Sequence, residues 1–301
     1  MSRVLPVWRS LLYVPVNVER YVAKAHTRGA DCIQLDLEDS VPVAEKERAR
    51  TLVEGAAQRV RRGGADVVVR INRPLALAVR DLEAAIGPDV DGIAVTKADS
   101  AGHLRLFDEL VSDLEAKRGL AEGHTRFIAM IETPAAFFEM AAIAHASPRL
   151  AALNIGGEDF ALEAGMEPTE DTLLMPNQQM IFAARAAGLM PLGFLASVAA
   201  FGDQEAFRRM VRRSRRFGFM GAGCIHPGQV PIVNEEYSPA ADEIAYAQRV
   251  VEENAKAEAA GRGSFAIDGK MIDVPVVERA RRLLARAAAI ESREAQKRAV
   301  S

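Results

Sequence analysis

The stretch Phe127-Ile-Ala-Met-Ile-Glu-Thr-Pro134 contains the pattern on which the fold turns. An unbroken apolar run suits a strand covered on both faces, whereas a strand open to water on one face would alternate. Thr133 is placed to cap a helix, and Pro134 fits its first turn, where a missing N–H loses no partner. A strand therefore passes directly into a helix, and the residue at the strand's C-terminal end is an acid, Glu132.

Comparable runs recur at Ser10–Val14, Cys32–Leu37, Val67–Ile71, Gly92–Val95 and Ala151–Ile155, and more weakly at Met190–Leu195 and Ala222–Ile225. Helical patterns separate them. Val18, Tyr21, Val22 and Ala25 fall on one face, with Asn17 placed as N-cap and Gly29 just past the end. Ser100 is placed to cap a second helix that turns Leu104, Phe107, Val111 and Leu114 inward. Eight βα units predict a (β/α)8 TIM barrel, with an open doubly wound sheet as the alternative. A barrel takes roughly 250 residues. The predicted domains are a barrel over 1–236 and a C-terminal helical lid or extension over 237–301. The extension reads as a helix from about Asp242 to Ala259, a Gly261-Arg-Gly263 loop and a last helix following Pro275. Its apolar content predicts no core of its own, and its residues beyond Glu291 read as solvated.

Hydrophobic residues make up 49% and charged residues 26% of the 301, enough to bury a large core. Basic residues number 38 and acidic residues 41, interspersed, so no broad basic face exists for nucleic acid. The two cysteines, Cys32 and Cys224, lie within apolar runs and predict a reducing, cytoplasmic setting without disulfides. The first residues, broken by Arg9, do not form a secretory signal, and no run approaches the about 20 apolar residues of a membrane span. Nucleic acid and membrane are both excluded as expected partners.

Polar residues gather at the C-terminal strand ends, where barrel enzymes place their sites. These ends read Asp36-Leu-Glu38-Asp39, Arg70-Ile-Asn72, Thr96-Lys97, Glu132-Thr133-Pro134, Gly156-Gly157-Glu158-Asp159 and His226-Pro227. An isolated acid after a strand is commonly a helix cap, but a closed barrel brings all of these to one rim. Converging carboxylates without a His or Cys cluster imply hard oxygen ligation, which suits Mg2+. Glu132 and Asp159 would repel each other across the rim unless a cation sat between them. Arg70 can fork onto a substrate carboxylate, or form an ion pair with Asp36 or Glu38. Lys97 reads as a cation holding an acidic partner, with Schiff-base chemistry as the rarer reading. The whole describes an enzyme site for an oxyacid.

Arg9-Ser-Leu-Leu-Tyr-Val-Pro15, Gly29-Ala-Asp31, Leu35-Asp-Leu-Glu-Asp39, Val69-Arg-Ile-Asn72, Ile131-Glu-Thr-Pro134, Gly157-Glu-Asp159, Ile225-His-Pro-Gly-Gln229 and Asp268-Gly-Lys-Met-Ile-Asp273 occur in this order. With them the chain resembles the citrate lyase beta subunit-like family over nearly its whole length. The resemblance implies an Mg2+-dependent carbon–carbon lyase acting on a 3-hydroxyacyl-CoA such as malyl-CoA or citramalyl-CoA, giving acetyl-CoA and glyoxylate or pyruvate. It implies Glu132 and Asp159 as metal ligands, Arg70 as the contact to the oxyacid, and Glu38 and Asp39 as supports; the rim residues themselves add Lys97 and Glu132 as expected substrate contacts and Asp36 as a further support. Arg70 would act on the reacting oxygens, and Asp273 would serve as acid/base in a neighbouring subunit's site. That sharing requires a homo-oligomer, a trimer or hexamer. On the residues alone, Asp273 reads equally as a cap for the last helix.

The chain departs from the family pattern at Val16-Asn17, Gly193 and Ala222-Gly223. These positions would shape the CoA part of the site and spare the metal ligands. An aldolase for free oxyacids, a malyl-CoA-type thioesterase and a non-catalytic metabolite-binding subunit are the alternatives.

Overall fold

A computed structural model describes residues 5–196, 203–261 and 263–300. Met1 to Val4 at the start and Arg262 of the 261–263 loop lie outside the described residues. Two compact units are present, Met1–Tyr237 with Val300–Ser301, and Ser238–Ala299.

The first unit is built on eight strands: β1 Ser10–Pro15, β2 Cys32–Asp36, β3 Asp66–Ile71, β4 Gly92–Val95, β5 Arg126–Ile131, β6 Leu150–Ile155, β7 Met190–Leu192 and β8 Ala222–Cys224. All pair in parallel, in the order β7-β6-β5-β4-β3-β2-β1-β8. The end strands also meet, through a parallel bridge between Leu192 and Gly221 and through the Met220 N–H, which donates to the Pro191 carbonyl at 2.9 Å. The sheet is thus a barrel, and the open alternative is excluded.

Side chains alternate across the barrel wall. Leu11, Cys32, Val68, Ala94, Ile128, Ala152 and Met190 fill the interior with Trp8. Leu12, Ile33, Val67, Val69, Ile93, Phe127 and Leu153 instead join the larger core between strands and helices. Most polar residues of this wall therefore sit at its ends, with buried Gln34 at the centre of β2 the exception on the inward face. Trp8 closes the N-terminal end, its indole N–H donating to Asp66 at 2.7 Å.

The closing seam depends on Gly221, where a β-carbon would overlap the Trp8 carbonyl oxygen and crowd the Arg9 backbone. Neither main-chain group can retreat without opening the β1–β8 pairing. Gly221→Ala should destabilise the protein by roughly 3 kcal/mol, the upper end for overpacking, and lower Tm by about 6–12 °C in calorimetry.

The helix starts follow local chemistry. Ser100 accepts from the His103 N–H at 3.2 Å and Thr133 from the Ala136 N–H at 3.1 Å. Leu104, Phe107, Val111 and Leu114 are buried as their spacing predicts. The first helix corrects its expected cap: it spans Glu19–Ala25 from Val18, without a side-chain cap, so Asn17 lies one residue too early. Of its apolar face Val22 and Ala25 are buried, while Tyr21 remains 48% exposed. β7 ends earlier than the apolar run Met190–Leu195 suggests, because Gly193 takes φ +139° and turns the chain out of the sheet.

The second unit holds a helix, Ala241–Ala259, a two-stranded hairpin of β9 Phe265–Ile267 and β10 Lys270–Ile272, and a helix, Val274–Val300. Asp268-Gly269 forms the hairpin turn with φ +50° and +74°, the conformation an Asp-Gly pair favours. The expectation that this segment lacks a core is corrected: Ala247, Val250, Ile267, Ile272, Val277 and Ala280 form a small buried cluster. Helix also continues past Glu291 to Val300.

Candidate active site

The β2–β3 register places Asp36 directly opposite Arg70, so both side chains meet at the C-terminal end of the barrel. Arg70 Nε and Nη2 each lie 2.7 Å from an Asp36 oxygen, and Nη1 lies 2.8 Å from Glu38 Oε2. Asp39 stands 3.6 Å from Nη1. Below, the guanidinium lies 5.1 Å from the Tyr13 ring centroid. Burial opposes the Asp36 charge, but Arg70, the Ser40 hydroxyl and the Glu38 N–H bring its carboxyl below the usual range. Burial pushes Glu38 up to about 7 against the pull of Arg70, with hydrogen-bonded Asp39 adding to the rise. One edge of the Arg70 fork is thus held by Asp36. The N–H groups not turned to Asp36 or Glu38 are left for a ligand, and Arg70 lines the adjoining cavity.

Glu132, just past β5, is only 2% exposed. It accepts the Lys97 N–H at 2.6 Å. Burial pushes its carboxyl up to about 7, countered by that N–H and assisted by the charge of Asp159. Gly156 makes room for it, since a β-carbon there would overlap the carboxylate. Asp159 comes from the first turn of the helix Gly157–Ala164 after β6. Its Oδ1 lies 3.0 Å from the Lys97 ammonium, which is also 3.7 Å from Glu38. Asp36, Glu38, Asp39, Glu132 and Asp159 thus gather around Arg70 and Lys97, while Arg20, Lys24 and Arg28 also line the cavity and Lys46 backs the Glu38 carbonyl; where Glu132 and Asp159 meet, Lys97 is the cation in contact. Among the described residues no three acids, histidines or cysteines converge to form a complete metal cage. A dication here would take Glu132 and Asp159 and complete its shell with water and ligand oxygens, the usual habit of Mg2+.

Asp36, Asp39, Arg70, Glu132 and Asp159 line a cavity of about 920 Å3. Leu12, Val14, Ile155, Leu173 and Phe194 form apolar walls, while Arg70, Glu132 and Asp159 converge as polar groups, the composition of a small-molecule site. His226 also lines it, its Nδ1 accepting the Gly228 N–H at 3.1 Å.

Not every polar strand end reaches the cavity. Asn72 donates to Asp81 at 2.7 Å and to the Leu37 carbonyl, and the Thr96 hydroxyl donates to the Ile71 carbonyl; both serve the scaffold. Asp273 belongs to the second unit, between β10 and the last helix, where its carbonyl accepts the Val276 and Val277 N–H groups at 3.1 Å. That is the N-cap position of the alternative reading.

Three contributors escaped the sequence reading. Tyr13 underlies Arg70, the Ser40 hydroxyl donates to Asp36 at 2.5 Å, and the Lys46 ammonium donates to the Leu37 and Glu38 carbonyls at 2.8 and 2.7 Å. For Tyr13 a signal existed: it shares the inward face of β1 with Leu11, two residues earlier.

Among known proteins, the HpcH/HpaI aldolase/citrate lyase model matches residues 9–227. The chain is 34% identical to the citrate lyase subunit beta of Leuconostoc mesenteroides subsp. cremoris over 279 residues, 92% of each chain. It is 35% identical to the (3S)-malyl-CoA thioesterase of Cereibacter sphaeroides over 286 residues, 94% of this chain and 95% of the relative. A solved structure, protein CitE from Mycobacterium tuberculosis in complex with magnesium, acetoacetate and coenzyme A, superposes with a TM-score of 0.73 at 31% identity, covering 93% of this chain and 97% of that one. On this extent of likeness, the chain belongs to the HpcH/HpaI aldolase/citrate lyase family.

Proposed function

We propose that this protein is an Mg2+-dependent carbon–carbon lyase that splits, or forms, a 3-hydroxyacyl-CoA such as malyl-CoA or citramalyl-CoA. The products of cleavage are acetyl-CoA and glyoxylate or pyruvate. The observation that carries the reading is the pairing of Glu132 and Asp159 with Arg70 at the rim of one cavity. The magnesium, small acid and coenzyme A named for the CitE structure support it.

The residues fit the metal. Glu132 and Asp159 are hard oxygen donors, Asp159 already facing the Lys97 ammonium and Glu132 accepting the Lys97 main-chain N–H, and Gly156 leaves the Glu132 carboxylate uncrowded. When bound there, Mg2+ supplies positive charge to the oxygens of the oxoacid. In cleavage the 3-hydroxyl loses its proton, the C2–C3 bond breaks, and its electron pair passes to the thioester as an enolate. Arg70, locked by Asp36 and Glu38, keeps its remaining N–H groups aimed at the acid's oxygens, so no reorganisation is needed as charge develops. Lys97 adds a second cation for the substrate carboxylate. Asp36, Glu38 and Asp39 orient these cations. Asp273, supplied in its protonated form by a neighbouring copy in a trimer or hexamer, gives its proton to the enolate carbon, becomes a carboxylate, and is reprotonated by the proton that the 3-hydroxyl gave up.

Asp273→Asn should lower kcat with Mg2+ affinity unchanged, measured by steady-state kinetics and calorimetry; an unchanged kcat would remove Asp273 from the reaction. A second reading, thioester hydrolysis, is favoured by the likeness to the (3S)-malyl-CoA thioesterase. Offering malyl-CoA and citramalyl-CoA with Mg2+ and following oxoacid and free CoA separately tests both. Oxoacid without free CoA identifies a lyase, free CoA identifies a hydrolase, and neither product overturns the CoA-dependent function.

A further inference from the structure

Lys97 touches both proposed metal ligands by different means. Its main-chain N–H donates to Glu132 at 2.6 Å, while its ammonium lies 3.0 Å from Asp159 and 3.7 Å from Glu38. To make these contacts the residue takes φ +46°, one of two non-glycine residues with positive φ among those described. A residue with a β-carbon is disfavoured there and persists only where its surroundings enforce it. The two contacts are separable. The N–H belongs to the backbone and stays wherever the side chain goes, whereas the ammonium is a point charge on a stem of four rotatable bonds, in a side chain 29% exposed.

We infer that Lys97 is an exchangeable counter-cation, a positioning residue whose ammonium neutralises Asp159 and Glu38 in the metal-free protein and is displaced when a divalent cation binds. The inference rests on the reading of Glu132 and Asp159 as metal ligands. Without a cation, Asp159 and Glu132 repel each other, and the ammonium keeps the site assembled. An arriving dication competes for the same Asp159 oxygen and repels the ammonium. The released side chain then becomes available to the carboxylate of an incoming acid. Metal binding and acid binding thereby reinforce each other, and by linkage the effect is reciprocal.

The test is calorimetric titration of Mg2+ alone into wild type, Lys97→Met, Lys97→Arg and Asp159→Ala, with the thermal midpoint of each metal-free protein. Lys97→Met should bind Mg2+ about tenfold more tightly, because no ammonium must be displaced, while its metal-free form melts earlier. Lys97→Arg, which keeps the charge, should return both values toward wild type. Should Lys97→Met fold only when Mg2+ is present, the same exchange is demonstrated in stronger form. Unchanged or weaker Mg2+ binding by a folded Lys97→Met, with Asp159→Ala losing it, overturns the exchange alone. Retention of wild-type Mg2+ affinity by Asp159→Ala would instead overturn the metal site on which it rests.

Discussion

Glu132→Gln should abolish the Mg2+-dependent reaction while leaving the metal-free protein at least as stable as wild type. The substitution keeps the side chain's shape and an oxygen to accept the Lys97 N–H, so the local fold has no reason to move. It removes the negative charge. Loss of that charge should weaken Mg2+ binding beyond the roughly 10–100-fold that follows loss of an outer partner to a metal ligand. Stability moves the other way because Glu132 is a buried carboxylate near Asp159, with burial itself disfavouring the ionised form. Such groups are retained for function at a cost in stability. Calorimetric Mg2+ titration, product assays and thermal melts on one variant check all three statements. Full activity with intact Mg2+ affinity would remove Glu132 from the metal site, and a lower midpoint would mean that the carboxylate is structural.

The strands of the barrel were legible because they are largely dry on both faces and therefore written as nearly continuous apolar runs, interrupted within them by Gln34 in β2 and Asn154 in β6. Gly92–Val95 is read to the residue. β7 and β8 were the weakest signals for a physical reason: each strand is only three residues long, Gly193 and Gly221 flank them, and Gly223 sits in the middle of β8. The acids at the rim were legible for a related reason. Between apolar strand and capped helix few positions tolerate a charge, and in a barrel they face one centre.

What the residues at the rim do was less legible. Arg70 could be read as reaching substrate or as pairing with Asp36, and the β2–β3 register makes the pairing certain while leaving further N–H groups toward the cavity. The Lys97–Glu132 contact depends on one left-handed backbone angle, which no propensity at a lysine announces. Ser40 and Lys46 act on carboxylates and carbonyls presented by a loop, so their roles follow from its conformation. The Asp268-Gly269 turn, by contrast, carried a signal in its own residues and went unread as a hairpin.

Arg70→Lys should lower kcat/KM by about 100- to 1,000-fold, the scale of losing one preorganised donor to a developing oxyanion. The charge is conserved and the geometry is not. Arg70 satisfies both Asp36 oxygens with Nε and Nη2, reaches Glu38 with Nη1, and still presents N–H groups to the cavity. An ammonium has three donors from one atom and cannot span these positions. Asp36, 1% exposed, would take the new cation for itself, because a buried carboxylate left short of donors is costly. The cavity would then lose its donor even though the site keeps its formal charge. The fall should appear in kcat, since the donor is needed most as charge develops, and Mg2+ affinity should be unchanged because Glu132 and Asp159 are untouched. A rise in KM with kcat preserved would show that Arg70 binds substrate and transition state equally and confine it to holding the acid.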